Sequence, residues 1–206
     1  MLVLLLASNG AHAQIVRPRY QVNAPTAWAS FSTALQQAFT VTDGSTGSVW
    51  QFGSATTYGG ALEKVLANGI AVGVRGATAM VPLTYAGPVT SSDADARVSQ
   101  LFGTLRLANG QGFHTVLELS AGATLYSEFR TRATSLKLPP ANVDTDFSFA
   151  FGYGFGYAFS PRMSIDVVQD VTTAVHQKTG LSPSAESTTR IHGTRLTGRI
   201  GLGGRR

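Results

Sequence analysis

His176, Glu186, Ser187, His192 and Thr194 are the residues of this chain whose types and spacing could do proton-transfer chemistry. Residues two apart share a face when the backbone is extended. His192 and Thr194 would then set an imidazole beside a hydroxyl, the pairing a base needs to activate a nucleophile. The spacing is common by chance, and a histidine at a strand end is more often a solvated polar group. His114 stands near a Gly-rich turn and reads as structural. The chain has no cysteine, no cluster with metal-ligand spacing and no phosphate-cradling glycine loop. The sequence therefore assigns no catalytic residue, no metal and no cofactor.

Whether polar groups meet depends on the elements that carry them, and one element is plain. The stretch 147–159 reads FSFAFGYGFGYAF. Phe147, Phe149, Phe151, Tyr153, Phe155, Tyr157 and Phe159 take the odd positions. Ser148, Ala150, Gly152, Gly154, Gly156 and Ala158 take the even ones. Strict period two is the mark of a β-strand. At ~3.3 Å per residue the stretch spans about 40 Å, more than the ~9–11 tilted residues that cross a bilayer. The rings are expected against lipid and the small residues against a crowded interior.

Composition agrees. Charged residues make up 13% of the chain, about half the ~25% of soluble domains. Glycine is abundant, at 23 of 206 residues. A Gly-rich soluble all-β protein fits these figures too. No apolar run is long enough for a transmembrane helix. The net charge of +5 does not point to nucleic acid, because the basic residues are scattered singly.

Eight extended segments follow the same rhythm: 26–41, 50–66, 70–85, 97–107, 113–130, the aromatic strand from about 145, 163–176 and 188–202. Tight turns join alternate pairs, at Asn68-Gly69, Asn109-Gly110 and Ser160-Pro161-Arg162. Asn-Gly is the strongest short hairpin signal, because both residues accept positive φ. The other connections, 42–49, 86–96, 131–144 and 177–187, are longer and polar. The expected fold is all-β: an eight-stranded antiparallel up-and-down transmembrane β-barrel. Its short turns would be periplasmic and its longer loops extracellular. A soluble ligand-binding barrel of eight strands is the alternative; it would need the bulky face inside.

Phasing each strand by its large apolar residues sorts the charges. Trp50, Phe52, Tyr58, Leu62 and Leu66 go outward, so Glu63 goes in. Leu117, Leu119, Leu125 and Phe129 go outward, so Glu118 goes in. The same rule turns Arg75, Arg106, Asp166, Asp170, Arg195 and Arg199 inward. Four acids and four arginines would face one another across an interior that eight strands leave just wide enough for side chains. The expected result is an ion-paired plug without a pore. A gated ion path along Asp166, Asp170, Arg75 and Arg199 is the alternative. The glycines opposite the rings would leave room for arginine side chains.

On this strand rhythm, the Asn-Gly turns and the aromatic alternation, the chain resembles the small bacterial outer-membrane β-barrel superfamily of the OmpA/OmpX type. The resemblance covers roughly 26–202. It implies a barrel in the outer membrane, with lipid and the barrel-assembly machinery as partners and an unknown extracellular partner met through the loops. It implies a structural, adhesion or surface-interaction role. Some eight-stranded barrels of this kind modify lipid A with a rim histidine and serine, which keeps His176 and His192 in view as the enzymatic alternative. Members usually end in an aromatic residue read by the assembly machinery; this chain ends Gly203-Gly204-Arg205-Arg206. Residues 1–13, with LVLLLA and Ala11-His12-Ala13, read as a truncated signal peptide or an ordinary apolar N-terminus. Residues 14–25 form a lead, and 26–206 the barrel domain.

Overall fold

The computed structural model describes residues 24–67, 69–88, 91–108, 112–140, 142–176 and 187–204. The expected signal remnant and nearly all of the lead lie outside them. Ten strands form one antiparallel sheet: β1 (Ala27–Gln36), β2 (Phe39–Asp43), β3 (Ser48–Phe52), β4 (Ala55–Ala67), β5 (Ile70–Ala86), β6 (Ser91–Ala108), β7 (Gly112–Thr131), β8 (Asp144–Ser160), β9 (Met163–Val175) and β10 (Thr188–Leu202). β1 pairs with β10 from Ala27↔Leu202 to Gln36↔Gly193, and β5 pairs with β6 along its whole length. These pairings close the sheet into a barrel of eight staves, the expected architecture. Closure leaves no open edge where β1 meets β10, as a membrane-spanning sheet requires; beyond Gln36, β2 pairs with β3 alone.

The staves are eight because two of them are interrupted. β1 and β2 make the first, and β3 and β4 the second. The pairing Gln36↔Ala55 resumes at Phe39↔Phe52 without a change of register. Between them Gln37-Ala38 and Gly53-Ser54 leave the ladder. Below the break, Tyr58, Leu62 and Leu66 are exposed; above it, Trp50 and Phe52 are buried. Trp50 and Phe52 therefore point inward, contrary to the expectation from their spacing. Period-two phasing holds only within an unbroken strand, and this break reverses it. Pro82 in β5 lies beside the gap between its pairing with β4 and with β3. Having no N–H, it suits a place where the ladder lapses. Its carbonyl accepts the Gly53 N–H at 2.7 Å.

Phe129, expected outward, is buried as well. A bulge in β7 shifts the register between Asp95 and Arg97 of β6, and Glu128 takes a φ of 56° there. One extra residue turns the following side chain to the other face.

The tight turns lie at one end. Gly69 and Gly112 have φ of 78° and 72°, the positive values that hairpin turns demand. At the loop end two expected loops are in large part strand. Residues 42–49 belong to the β2–β3 hairpin, and β5 and β6 extend to Ala86 and from Ser91. These extensions wall in an apolar core above the barrel's middle. Phe39, Val41, Trp50, Phe52, Val81, Tyr126 and Phe129 are among its members.

Candidate functional site

Two polar assemblies occupy the interior. The first lies at mid-barrel, where successive inward positions of six staves converge. Glu118 of β7 is its hub. One Glu118 oxygen, Oε1, is 3.2 Å from Arg75 Nη1 and 3.1 Å from Arg195 Nη2. Oε2 is 3.7 Å from Arg106 Nη1. Arg195 also grips Asp170 through both Nε and Nη2, at 2.7 and 3.1 Å. Arg106 Nη2 donates to Asp166 at 2.7 Å. Arg199 pairs with Glu63 and lies 4.0 Å from Asp166. The eight inward charges named from the sequence thus sit in one continuous chain of contacts. His114 joins it, with Nε2 3.1 Å from Asp166. Arg199 also stacks on Trp28, 4.5 Å from the ring centroid.

The aromatic strand makes room for this chain of charges. All seven of its rings point outward and are 44–61% exposed. A Cβ placed on Gly156 would collide with the Asp166 carboxylate and the His114 ring, and one on Gly152 would lie 2.8 Å from Asp170. The space opposite the rings holds carboxylates and an imidazole, not the arginines expected there. The arginines reach those carboxylates from other staves.

Above the network lies a cavity lined by Ser32, Gln36, Ala77, Thr172, Ile191 and the edges of Asp170 and Arg195. Above that comes the aromatic core. Trp50 packs 4.7 Å from Phe129 and 5.7 Å from Tyr126, and Phe39 stacks on Phe52 at 4.5 Å.

The second polar assembly sits against this core. His176 Nδ1 is 2.6 Å from Asp146 Oδ1. Its Nε2 lies 3.6 Å from Asp43 and 3.7 Å from Asp144. Asp43 Oδ1 accepts the Ser45 N–H at 2.8 Å and the Ser45 hydroxyl at 2.7 Å, and its other oxygen accepts the Thr46 hydroxyl. Ser48 accepts the indole N–H of Trp50 at 2.8 Å, which ties the cluster to the core. These groups stand beyond the outward apolar band, which ends on these staves at Phe147 and Val175. Burial pushes the His176 pKa down, but the Asp146 hydrogen bond and the charges of Asp146, Asp144 and Asp43 outweigh it, so it is raised. Burial pushes Asp43 up, yet the Thr46 and Ser45 hydrogen bonds leave it lowered. Asp144 is raised, chiefly by burial.

Among the described residues no side-chain hydrogen bond joins the catalytic candidates. His176 is buried among carboxylates. Thr194 faces outward and donates to Gln169 Oε1 at 2.8 Å. Ser187 offers its carbonyl to the His176 N–H at 2.7 Å, and Glu186 lies outside the described residues. The outer cluster, by contrast, escapes the sequence reading. Asp144 and Asp146 lie two apart at the head of the aromatic strand, and His176 continues the inward phase of Asp166 and Asp170. Extending the alternation outward finds all three. Asp43 is hidden by the break after β1.

Closed antiparallel barrels with a filled interior and an outward apolar band define a class, the transmembrane β-barrel. Solved structures of that class share the fold of this chain. Neisserial surface protein A matches with a TM-score of 0.58 at 10% identity, covering 86% of this chain and 97% of that one. OprG of Pseudomonas aeruginosa matches with a TM-score of 0.54 at 13% identity, covering 87% of this chain and 94% of that one. The chain has the fold of bacterial outer-membrane barrels. No protein-family model matches it, and no curated protein matches it in sequence.

Proposed function

We propose that this chain is a non-enzymatic, non-conducting barrel of the bacterial outer membrane that holds a preformed surface for extracellular contact. One observation carries the reading: a single barrel has an apolar outside and an inside filled at two levels. Outward positions on every stave carry exposed apolar side chains, among them Phe31, Leu62, Val74, Leu101, Leu119 and Ile165. Water is a poor solvent for such a belt, and lipid a good one. Inside, the Glu118 network spans the narrow bore at mid-barrel, and the Trp50 core closes it again at the loop end. A pore would need both levels to open. Among the described residues the loop end carries strands and a packed core, so a partner would meet a shaped surface on a rigid scaffold.

Two measurements test this. The folded protein in detergent should migrate differently on gels before and after boiling, and it should fractionate with outer membranes. Recovery from the soluble periplasm without detergent would refute the membrane placement. In planar bilayers the pure protein should give no discrete conductance steps; reproducible channels from the native protein would refute the plug.

A further inference from the structure

We propose that Asp43, Asp144 and His176 form a binding site for a first-row divalent cation of the zinc type at the loop end of the barrel. Three separate elements bring the ligands together. Asp43 ends β2, Asp144 opens β8, and His176 follows β9. One ligand atom from each lies within 4.8 Å of the other two. His176 Nε2 stands 3.6 and 3.7 Å from the two carboxylates. Those separations exceed a hydrogen bond. They are close to the ~3.3 Å between neighbouring ligands of a tetrahedral zinc whose bonds run about 2.0–2.2 Å.

The imidazole is also oriented for the task. Asp146 accepts its Nδ1–H at 2.6 Å, which leaves the Nε2 lone pair aimed at Asp43 and Asp144. A carboxylate behind a histidine is how metal-binding imidazoles are commonly fixed. Ser45 and Thr46 hold the Asp43 carboxylate from the far side.

A second observation points to a missing cation. Asp146 Oδ2 and the Tyr126 hydroxyl are shut off from solvent and have no partner beyond one another. Tyr126 is the cross-strand partner of Asp144, and its ring stands edge-on to His176 at 6.5 Å. Among the described residues no arginine or lysine pairs with Asp43, Asp144 or Asp146, so three carboxylates share one imidazole. A divalent ion would supply the charge that arginines supply at mid-barrel. A nitrogen ligand beside two carboxylates favours zinc-like ions over magnesium or calcium. The Asp144 side chain is 20% exposed, which leaves a route for the ion and an open position on it.

The test is titration of zinc chloride into untagged, metal-free full-length protein folded in detergent micelles. Each variant is first checked for heat-shifted migration. Saturable binding of one ion per chain is expected, lost in His176→Ala and Asp43→Asn and kept in His192→Ala. Asp146→Asn, which acts through His176, should weaken binding about 10–100-fold. Absence of saturable binding, or binding that survives His176→Ala, overturns the proposal and leaves the cluster a proton site only. Should the Asp43 variant not fold, cobalt(II) bound to the native protein decides. A four-coordinate visible spectrum supports the site, and the spectrum of aqueous cobalt overturns it.

Discussion

At mid-barrel four carboxylates meet four arginines; at the loop end three carboxylates meet one histidine. Both assemblies are buried, and both draw on several staves. The first is neutral by composition and built from cations that do not lose their protons. The second, among the described residues, is short of positive charge and depends on a group that does. The difference separates structure from function. A balanced network satisfies itself and fixes the fold. An unbalanced one calls for something from outside, whether a proton or a metal ion.

The comparison breaks most visibly at Glu118. Glu118→Ala would leave Arg75, Arg106 and Arg195 facing one another across the bore without their shared partner. Uncompensated buried charge costs about 3–5 kcal/mol. Urea unfolding in micelles should register that loss, and the variant should fold poorly into vesicles. A change below about 1 kcal/mol would mean that the network is not the framework of the barrel.

Trp50→Ala strikes the other region. Removing a fully buried indole costs about 3–5 kcal/mol where the site cannot collapse. The damage should stay local. The loop end should become sensitive to protease while the mid-barrel part keeps its heat-shifted migration. Loss of both together would make the two levels one cooperative unit.

Gly156→Leu tests the fit between the aromatic strand and the network. Its side chain would displace the Asp166 carboxylate or His114, with an expected cost of about 1–3 kcal/mol. Gly198→Ala is the control: it has nothing within 4 Å and should change stability little. Equal losses would mean that strand propensity, not interior space, decides the effect.

Unbroken alternation makes β8, β9 and β10 legible in the sequence, and with them Asp166, Asp170, Arg195 and Arg199. It fails where the backbone leaves the period. The gap at Gln37-Ala38 and Gly53-Ser54 reverses Trp50, Phe52 and Asp43 together, and the bulge at Glu128 reverses Phe129. Nothing in the local residue pattern announces such a reversal, because it is fixed by how the hairpin joins β5 beyond Pro82. Of the outer cluster only Asp43 is hidden for the same reason; Asp144, Asp146 and His176 keep the unbroken phase of their strands. His114 and His176 look like lone histidines along the chain, and only the closed barrel makes them members of charged sets.

The outer cluster should respond to pH. In metal-free protein the folded state raises the His176 pKa above its ordinary 6.5. Its protonation therefore stabilises the fold fully below that ordinary value, and the gain is lost as pH rises through the folded value. The groups facing it are Asp43, Asp144, Asp146 and Tyr126. Protease resistance of the loop end should fall across that window in native protein and stay flat in His176→Gln. A native profile as flat as the variant's would mean that the imidazole is neutral throughout.

The smallest effect concerns the bulge itself. Glu128 holds a φ of 56°, a left-handed conformation that costs a side-chain-bearing residue roughly 1–2 kcal/mol. Its only ion pair among the described residues is with Arg97 at 3.2 Å, and both side chains are more than 40% exposed. Exposed pairs of this kind contribute about 0–1 kcal/mol. Glu128→Gly relieves the backbone strain and gives up the weaker ion pair, so it should raise stability by up to about 1 kcal/mol. Glu128→Val should lower it, because a β-branched residue tolerates positive φ least. Both are read as shifts in the urea midpoint. If glycine destabilises as much as valine, the bulge is held by Glu128 itself, and the inward turn of Phe129 depends on that side chain.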